Sequence, residues 1–276
     1  MGYDTGLTED DLGRLTHVSR FLDDRLNRAP DTGAAYVGAR AFAHKGGLHV
    51  SAIEKDPRTY EHVAPDSVGN ERHIVVSDQA GRSNVLARFR EIGIEVDSKD
   101  PKISGLLEDV KRREHEGYAY DGASASFELL ARRVLESVPD YFNLESFRVM
   151  DERRWNAKGE LITLSEATIK IDVGGEHFMT VAEGKGPVNA LDNALRKALT
   201  TIYPQLDDMR LADYKVRILT PGAGTEAVTR VMIESTDSDG HRWSTVGVSA
   251  NVIDASYNAL HDAITYKLYR DGAEAK

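Results

Sequence analysis

The stretch from Gly38 to Ile53, GARAFAHKGGLHVSAI, places two histidines, a lysine and three glycines within sixteen residues. Gly46 and Gly47 free the backbone to bend, which would present His49 at the bend. A neutral imidazole gives or takes a proton near pH 7, so His49 is a candidate acid/base group or metal ligand. A structural role for the same histidine stands beside that reading, because most histidines do no chemistry. His44, Lys45 and His62 read as supporting or surface residues. The histidines do not gather with carboxylates at a helical ligand spacing, so no metal site is expected within this chain.

Two further places could bind rather than react. Gly184-Lys185-Gly186 and Gly247-Val248-Ser249-Ala250 each lead into a helical pattern. Amide groups at a helix start lack partners within the helix and can hold an anion such as a carboxylate. Gly184, Gly186, Asn189, Gly247, Ser249, Ala250 and Asn251 are therefore candidates for docking a small amino acid. The alternative is that the glycines allow tight strand-to-helix turns and the asparagines are caps.

These residues need elements to hold them. Thr8 with Asp11 resembles a capping box, and Leu12, Leu15, Ser19, Leu22 and Leu26 follow at helical spacing, predicting a helix from about Glu9 to Asn27. A loop through Ala29-Pro30-Asp31 follows, and Ile74-Val75-Val76 is a short apolar run. Gly81-Arg82-Ser83 opens a helix with Val85, Leu86 and Phe89 on one side. Two more helices are expected, one through Ile103, Leu106, Leu107 and Val110 to Gly117, and one from Ser124 to Pro139.

Near Asp140 the pattern changes to alternation. Phe147 and Val149, then Ile169, Ile171 and Val173, then Phe178 to Val181 read as three strands with a Gly174-Gly175 turn. A helix follows Pro187, with Val188, Leu191, Leu195, Ala198 and Ile202 on one face. The order then repeats: strands at Val216 and Ile218, at Val231 and Ile233, and at Trp243, Val246 and Val248, then a helix with Ile253, Tyr257, Leu260, Ile264 and Leu268 inward. Asn189 and Asp192 precede Asn251 and Asp254 by the same 62 residues. The second half is thus a unit of three strands and a helix, present twice. Each unit exposes a sheet edge and an apolar face, so the two are expected to pack together, and the pair to pack again in a dimer.

At 276 residues and 41% apolar, the chain can build two small domains with real cores. A formal charge of −10 argues against a nucleic-acid or anionic-membrane surface. The chain has no cysteine, which removes disulfides and thiolate sites and suits a reducing cytoplasm. No apolar run approaches a membrane-spanning length and the first residues carry no signal pattern, so a cytoplasmic protein is expected.

The ordered series AFAHKGGLHVSAI, VGNER, SDQAGRSNVL, GYAYDGASASFELL, GPVNALDNALRKAL and TVGVSANVIDASYNAL resembles the 2-isopropylmalate, homocitrate and citramalate synthase family, its citramalate branch above the others. The resemblance runs from near Tyr3 to near Tyr269. It implies an acyltransferase that joins acetyl-CoA to pyruvate on a TIM barrel holding a divalent metal. The family's His-x-His and Gly-Asp-Gly stretches do not occur here, so a C-terminal portion without the barrel, and no turnover by it alone, is expected. The resemblance places His49 and Tyr60 as residues that reach into a partner subunit's barrel, His49 moving a proton and Tyr60 positioning. It further implies a homodimer and a C-terminal domain that binds isoleucine, or leucine if the isopropylmalate branch applies. A stand-alone amino-acid-binding module without catalysis is the other reading. The expected fold class is α+β: helical linker subdomains at 1–35 and 36–140, then a duplicated βββα allosteric and dimerisation domain at 141–276.

Overall fold

The computed structural model describes residues 6–26, 31–44, 47–74, 82–94, 100–135 and 138–276. Tyr3, Asn27, Ala29, Pro30, Lys45, Gly46, Val75, Val76 and the stretch from Ser77 to Gly81 lie outside them. Contacts divide the chain into two units, Met1–Lys111 and Arg112–Lys276.

The first unit is mainly helical. Its elements are α1 (Glu9–Gly13), α2 (Leu15–Arg25), β1 (Ala43–His44), α3 (Gly47–Lys55), β2 (His73–Ile74), α4 (Arg82–Glu91) and the start of α5 (Pro101–Glu116). Thr8 and Asp11 form the predicted capping box: each backbone N–H donates to the other's side chain. The single helix predicted from Glu9 is interrupted at Arg14, which caps α1 straight after Gly13. Glycine weakens a helix interior, and here the carbonyl of Gly13 lies against Gly69 from another part of the unit. Thr16 fastens the same contact by donating from Oγ1 to the Val68 carbonyl at 2.7 Å. Val50 and Ile53 of α3 and Val85 and Phe89 of α4 are buried, and α3 packs on α4. Of the glycine pair read as a bend before His49, Gly46 lies outside the described residues and Gly47 instead opens helix α3.

The second unit holds the end of α5, α6 (Ser124–Leu135), then β3 (Asn143–Trp155), β4 (Leu161–Val173), β5 (Glu176–Gly184) and α7 (Pro187–Leu199). It closes with β6 (Arg210–Ile218), β7 (Thr229–Thr236), β8 (Arg242–Ser249) and α8 (Val252–Arg270). Both sheets are antiparallel meanders, ordered β3-β4-β5 and β6-β7-β8. This is the predicted βββα unit occurring twice. Helix α7 packs on β4 and β5, α8 on β7 and β8, and the two helices meet. One core joins both units of the repeat: Ile169 and Ile171, Val231 and Ile233 from the central strands, Leu191 and Leu195 from α7, Leu260 and Ile264 from α8. Burying each such side chain stabilises the fold by about 1.5–3 kcal/mol.

The two copies match in detail, but not at one spacing. A β-bulge interrupts the first hairpin between Leu144 and Ser146, and another interrupts the second between Leu211 and Asp213, beside the paired residues Ile171 and Ser235. Thr180 donates from Oγ1 to the Ala194 carbonyl, and Thr245 donates to the Ala259 carbonyl, both at 2.8 Å. Matching these bonds makes Asn251, the N-cap of α8, the counterpart of Gly186, the N-cap of α7. Asn189 is the third residue of α7 instead, so the shared spacing of 62 between the asparagines does not align the folded units. Replacing Thr245 by valine removes its hydroxyl bond while nearly preserving shape. A loss of about 1 kcal/mol is expected from the shift of the urea midpoint at unchanged slope.

Edge strand β8 is not left open. Helix α6 lies along it, and Ser126 Oγ accepts the Val246 N–H at 3.1 Å while donating to Asp262 of α8 at 2.8 Å. Arg133 pairs with the same Asp262, and the Arg132 guanidinium lies over the Tyr269 ring. Val246, on the face of β8 opposite Trp243, is thereby buried.

Candidate functional site

Residue His49 is the third residue of α3, on its exposed side, while Val50 and Ile53 turn inward. Helix α3 ends at Lys55 and runs into a 3-10 turn, Pro57–Thr59, capped by Asp56, whose side chain accepts the Arg58 N–H at 3.1 Å. That turn reverses the chain and delivers Tyr60 back onto His49. The two rings stack with centroids 4.2 Å apart and an interplanar angle of 29°. The two residues singled out for catalysis thus form one face, half exposed at Tyr60. An exposed imidazole against a phenol can exchange a proton with a bound molecule while the hydroxyl donates or accepts a hydrogen bond.

The residue after Tyr60 belongs to a group that sequence reasoning did not assign. Glu61 is buried, and Arg72 grips its carboxylate as a fork, Nε to Oε1 at 2.7 Å and Nη2 to Oε2 at 2.6 Å. His44 Nε2 meets the same Oε1 at 2.9 Å. The Arg72 hydrogen bond, opposed by burial and helped by His44, holds the Glu61 carboxyl below its ordinary pKa. His44 is therefore a supporting residue with a defined partner. Nearby, Asn70 donates from Nδ2 to the carbonyls of Tyr36 and Gly38, tying down the stretch that leads into β1. The signal that could have found this group is the VGNER motif, whose asparagine and arginine both prove to be structural anchors.

The binding candidates fall at the two helix starts of the second unit. A Cβ on Gly184 would sit 2.3 Å from the Ala190 nitrogen, and one on Gly247 would sit 2.0 Å from the Ala255 carbonyl oxygen. Both glycines therefore permit a helix to lie directly on a strand. Gly186 is the N-cap of α7, and Asn189 Oδ1 accepts the Lys185 N–H at 3.0 Å. Ser249 Oγ accepts the Asn251 N–H, Asn251 Oδ1 accepts the Ile253 N–H at 2.8 Å, and Ala250 lies between them. Each group is local to its own turn: among the described residues no hydrogen bond joins the α7 group to the α8 group. Nor do the described residues contain a group of three or more His, Asp or Glu side chains able to hold a metal ion. No described helix is long and apolar enough to cross a membrane.

A βββα unit folded twice around one core, in a chain that also has a mainly helical unit carrying a histidine–tyrosine stack, defines a two-part α+β protein with a duplicated domain. Residues 121–268 match the model of the LeuA allosteric (dimerisation) domain, and residues 36–117 match the homocitrate synthase post-HMGL domain-like model. The first match covers more than half of the chain, so the chain belongs to the LeuA allosteric (dimerisation) domain family. It is 52% identical over 262 residues to the (R)-citramalate synthase of Geobacter sulfurreducens, covering 95% of this chain and 49% of that relative. It is also 46% identical over 274 residues to that of Aquifex aeolicus, covering 99% of this chain and 51% of the relative. The third, from Synechocystis sp., is 49% identical over 257 residues, covering 93% and 47%. The chain spans about half the length of the curated relatives it matches.

Proposed function

We propose that this chain supplies the linker and regulatory half of a citramalate synthase-type acyltransferase. The whole enzyme would convert acetyl-CoA, pyruvate and water to citramalate and CoA, deprotonating the acetyl methyl for attack on the keto carbon and then hydrolysing the thioester. The observation that carries this reading is the 46–52% identity to three citramalate synthases along almost the whole chain. In it, His49 moves a proton at the reacting centre and Tyr60 orients the bound molecule. The divalent metal implied by the resemblance would sit on the barrel, and the part proposed for this chain's own residues is that of His49 and Tyr60.

The duplicated domain would act as a homodimeric sensor of isoleucine, its carboxylate held at the helix starts of α7 and α8, within the cytoplasm. The match to a dimerisation domain supports the homodimer, and the glycine-opened helix starts offer amide groups to an anion. Isothermal titration of the chain with isoleucine, beside leucine and valine, tests the reading together with its mass in solution. Micromolar binding of isoleucine to a dimer, with leucine at least about tenfold weaker, a difference of about 1.4 kcal/mol, is expected. Tighter leucine binding would move the chain to the isopropylmalate branch, and a folded monomer that binds neither would overturn the regulatory role.

A further inference from the structure

We propose that Glu61, clamped by Arg72 and His44, is the positioning residue that keeps the Tyr60 ring stacked on His49. This deepens the reading of His49 and Tyr60 as the acting pair and rests on it for its functional meaning.

Little else holds the phenol where it is. Tyr60 is 49% exposed, so packing restrains its ring weakly. A single stacked pair adds only a modest attraction. What is fixed is the backbone on either side. Before Tyr60, the capped 3-10 turn ties the chain to the end of α3, with the Thr59 and Tyr60 amides donating back to the carbonyls of Asp56 and Pro57. After Tyr60, the next side chain is Glu61, only 2% exposed and bound through both carboxylate oxygens. His44 reaches Glu61 from β1 itself and Arg72 from the residue before β2, the short parallel pair in which His44 pairs with Ile74 and the His73 N–H donates to the Phe42 carbonyl. The carboxylate therefore couples the peptide carrying Tyr60 to a segment apart from the helix carrying His49. Planar, two-point recognition by arginine sets an angle as well as a distance, which a lysine in its place cannot do.

The test is proton–carbon NMR of the full chain, following the imidazole signals of His49. The face of the Tyr60 ring is expected to displace these upfield, and Tyr60→Leu gives their unstacked position. Glu61→Gln and Arg72→Lys are both expected to move the His49 signals most of the way to the Tyr60→Leu position. The methyl signals of Val50 and Ile53, buried on the other side of the same helix, are expected to stay in place. Retention of the full displacement in both variants would overturn the proposal. So would movement of the Val50 and Ile53 signals along with those of His49, which would make the carboxylate part of the general framework. If Glu61→Gln does not fold, Arg72→Lys decides alone, since the Arg72 side chain is 36% exposed and its change leaves a cation in place. The signals are read without substrate. A failed synthase reading and a failed positioning role are therefore told apart.

Discussion

Replacing Gly247 by alanine is expected to destabilise the second unit by about 3 kcal/mol, the upper end of the cost of overpacking a closed core. The added Cβ would stand 2.0 Å from the Ala255 carbonyl oxygen and 2.9 Å from the Ala259 nitrogen, both backbone atoms of α8. Neither can swing aside as a side-chain tip could, so α8 must lift from β8. Lifting it strains the Thr245 bond to the Ala259 carbonyl and the Trp243 bond to the Ala263 carbonyl together. The control is Gly186→Ala. No atom lies within 4 Å of the position of its added Cβ, and its φ of −173° suits any residue. Its change should stay within about 1 kcal/mol. Urea unfolding of both variants measures the contrast, and an equal loss in the two would refute the close approach of α8 to β8.

A comparable effect is expected for Lys267→Met. The lysine is buried in α8 with its ammonium 3.1 Å from Asp208, 3.6 Å from Asp237 and 2.6 Å from Asp271. Removing one partner from a buried ionic group costs about 3–5 kcal/mol, because charges stay behind without compensation. About 3 kcal/mol is expected here, since Arg270 still holds Asp237 and the Asp208 side chain is 34% exposed.

The same cluster sets a pH signature. Burial disfavours the charged forms of Asp208 and Asp237. Even so, hydrogen bonds from Ser238 and Lys267 to Asp208, and from Arg270 and the His241 amide to Asp237, hold both carboxyls below the ordinary 3.8. Groups lowered in the folded state stabilise it above their unfolded pKa and lose that contribution as pH falls through the folded value. Burial likewise opposes the Lys267 charge, and its bonds to Asp271 and Asp208 outweigh that and raise it above 10.5. Its contribution is complete below 10.5 and disappears as pH rises through the raised value. Stability of the second unit should therefore be level from about pH 4 to about pH 10 and fall on both sides. Lys267→Met should lower the plateau and flatten both limbs. A melting-temperature profile against pH, with limbs as steep in the variant as in the parent, would show that this cluster does not set the pH range.

Where local pattern decides the structure, the sequence was readable. The Thr8–Asp11 box, the inward faces of α7 and α8, and the alternation of Ile169, Ile171 and Val173 follow from spacing alone. So does the duplication, because each copy has to bury the same face. What was not readable depended on closure in three dimensions. Gly13 ends α1 where Gly69 lies against its carbonyl, and no window around Gly13 contains that contact. The two asparagines invited one fixed spacing, yet the folded copies are matched by bonds between threonines and helix carbonyls. The resemblance assigns Tyr60 and His49 to one site, but their stacking within one chain depends on the 3-10 turn between them. Glu61 and Arg72 are an ordinary acid and base in sequence, and burial of the carboxylate is what distinguishes them.

The unequal spacing of the two copies carries a practical consequence for segment exchange. A chimera that grafts α8 in place of α7, aligned on Asn189 and Asn251, slides the helix three residues from the register set by Thr180 and Thr245. Three residues are about 4.5 Å of rise and about 60° short of a full turn. The grafted leucine and isoleucine stripe would then miss the sheet. Aligned on Gly186 and Asn251 instead, it lands on the first sheet as it does on its own.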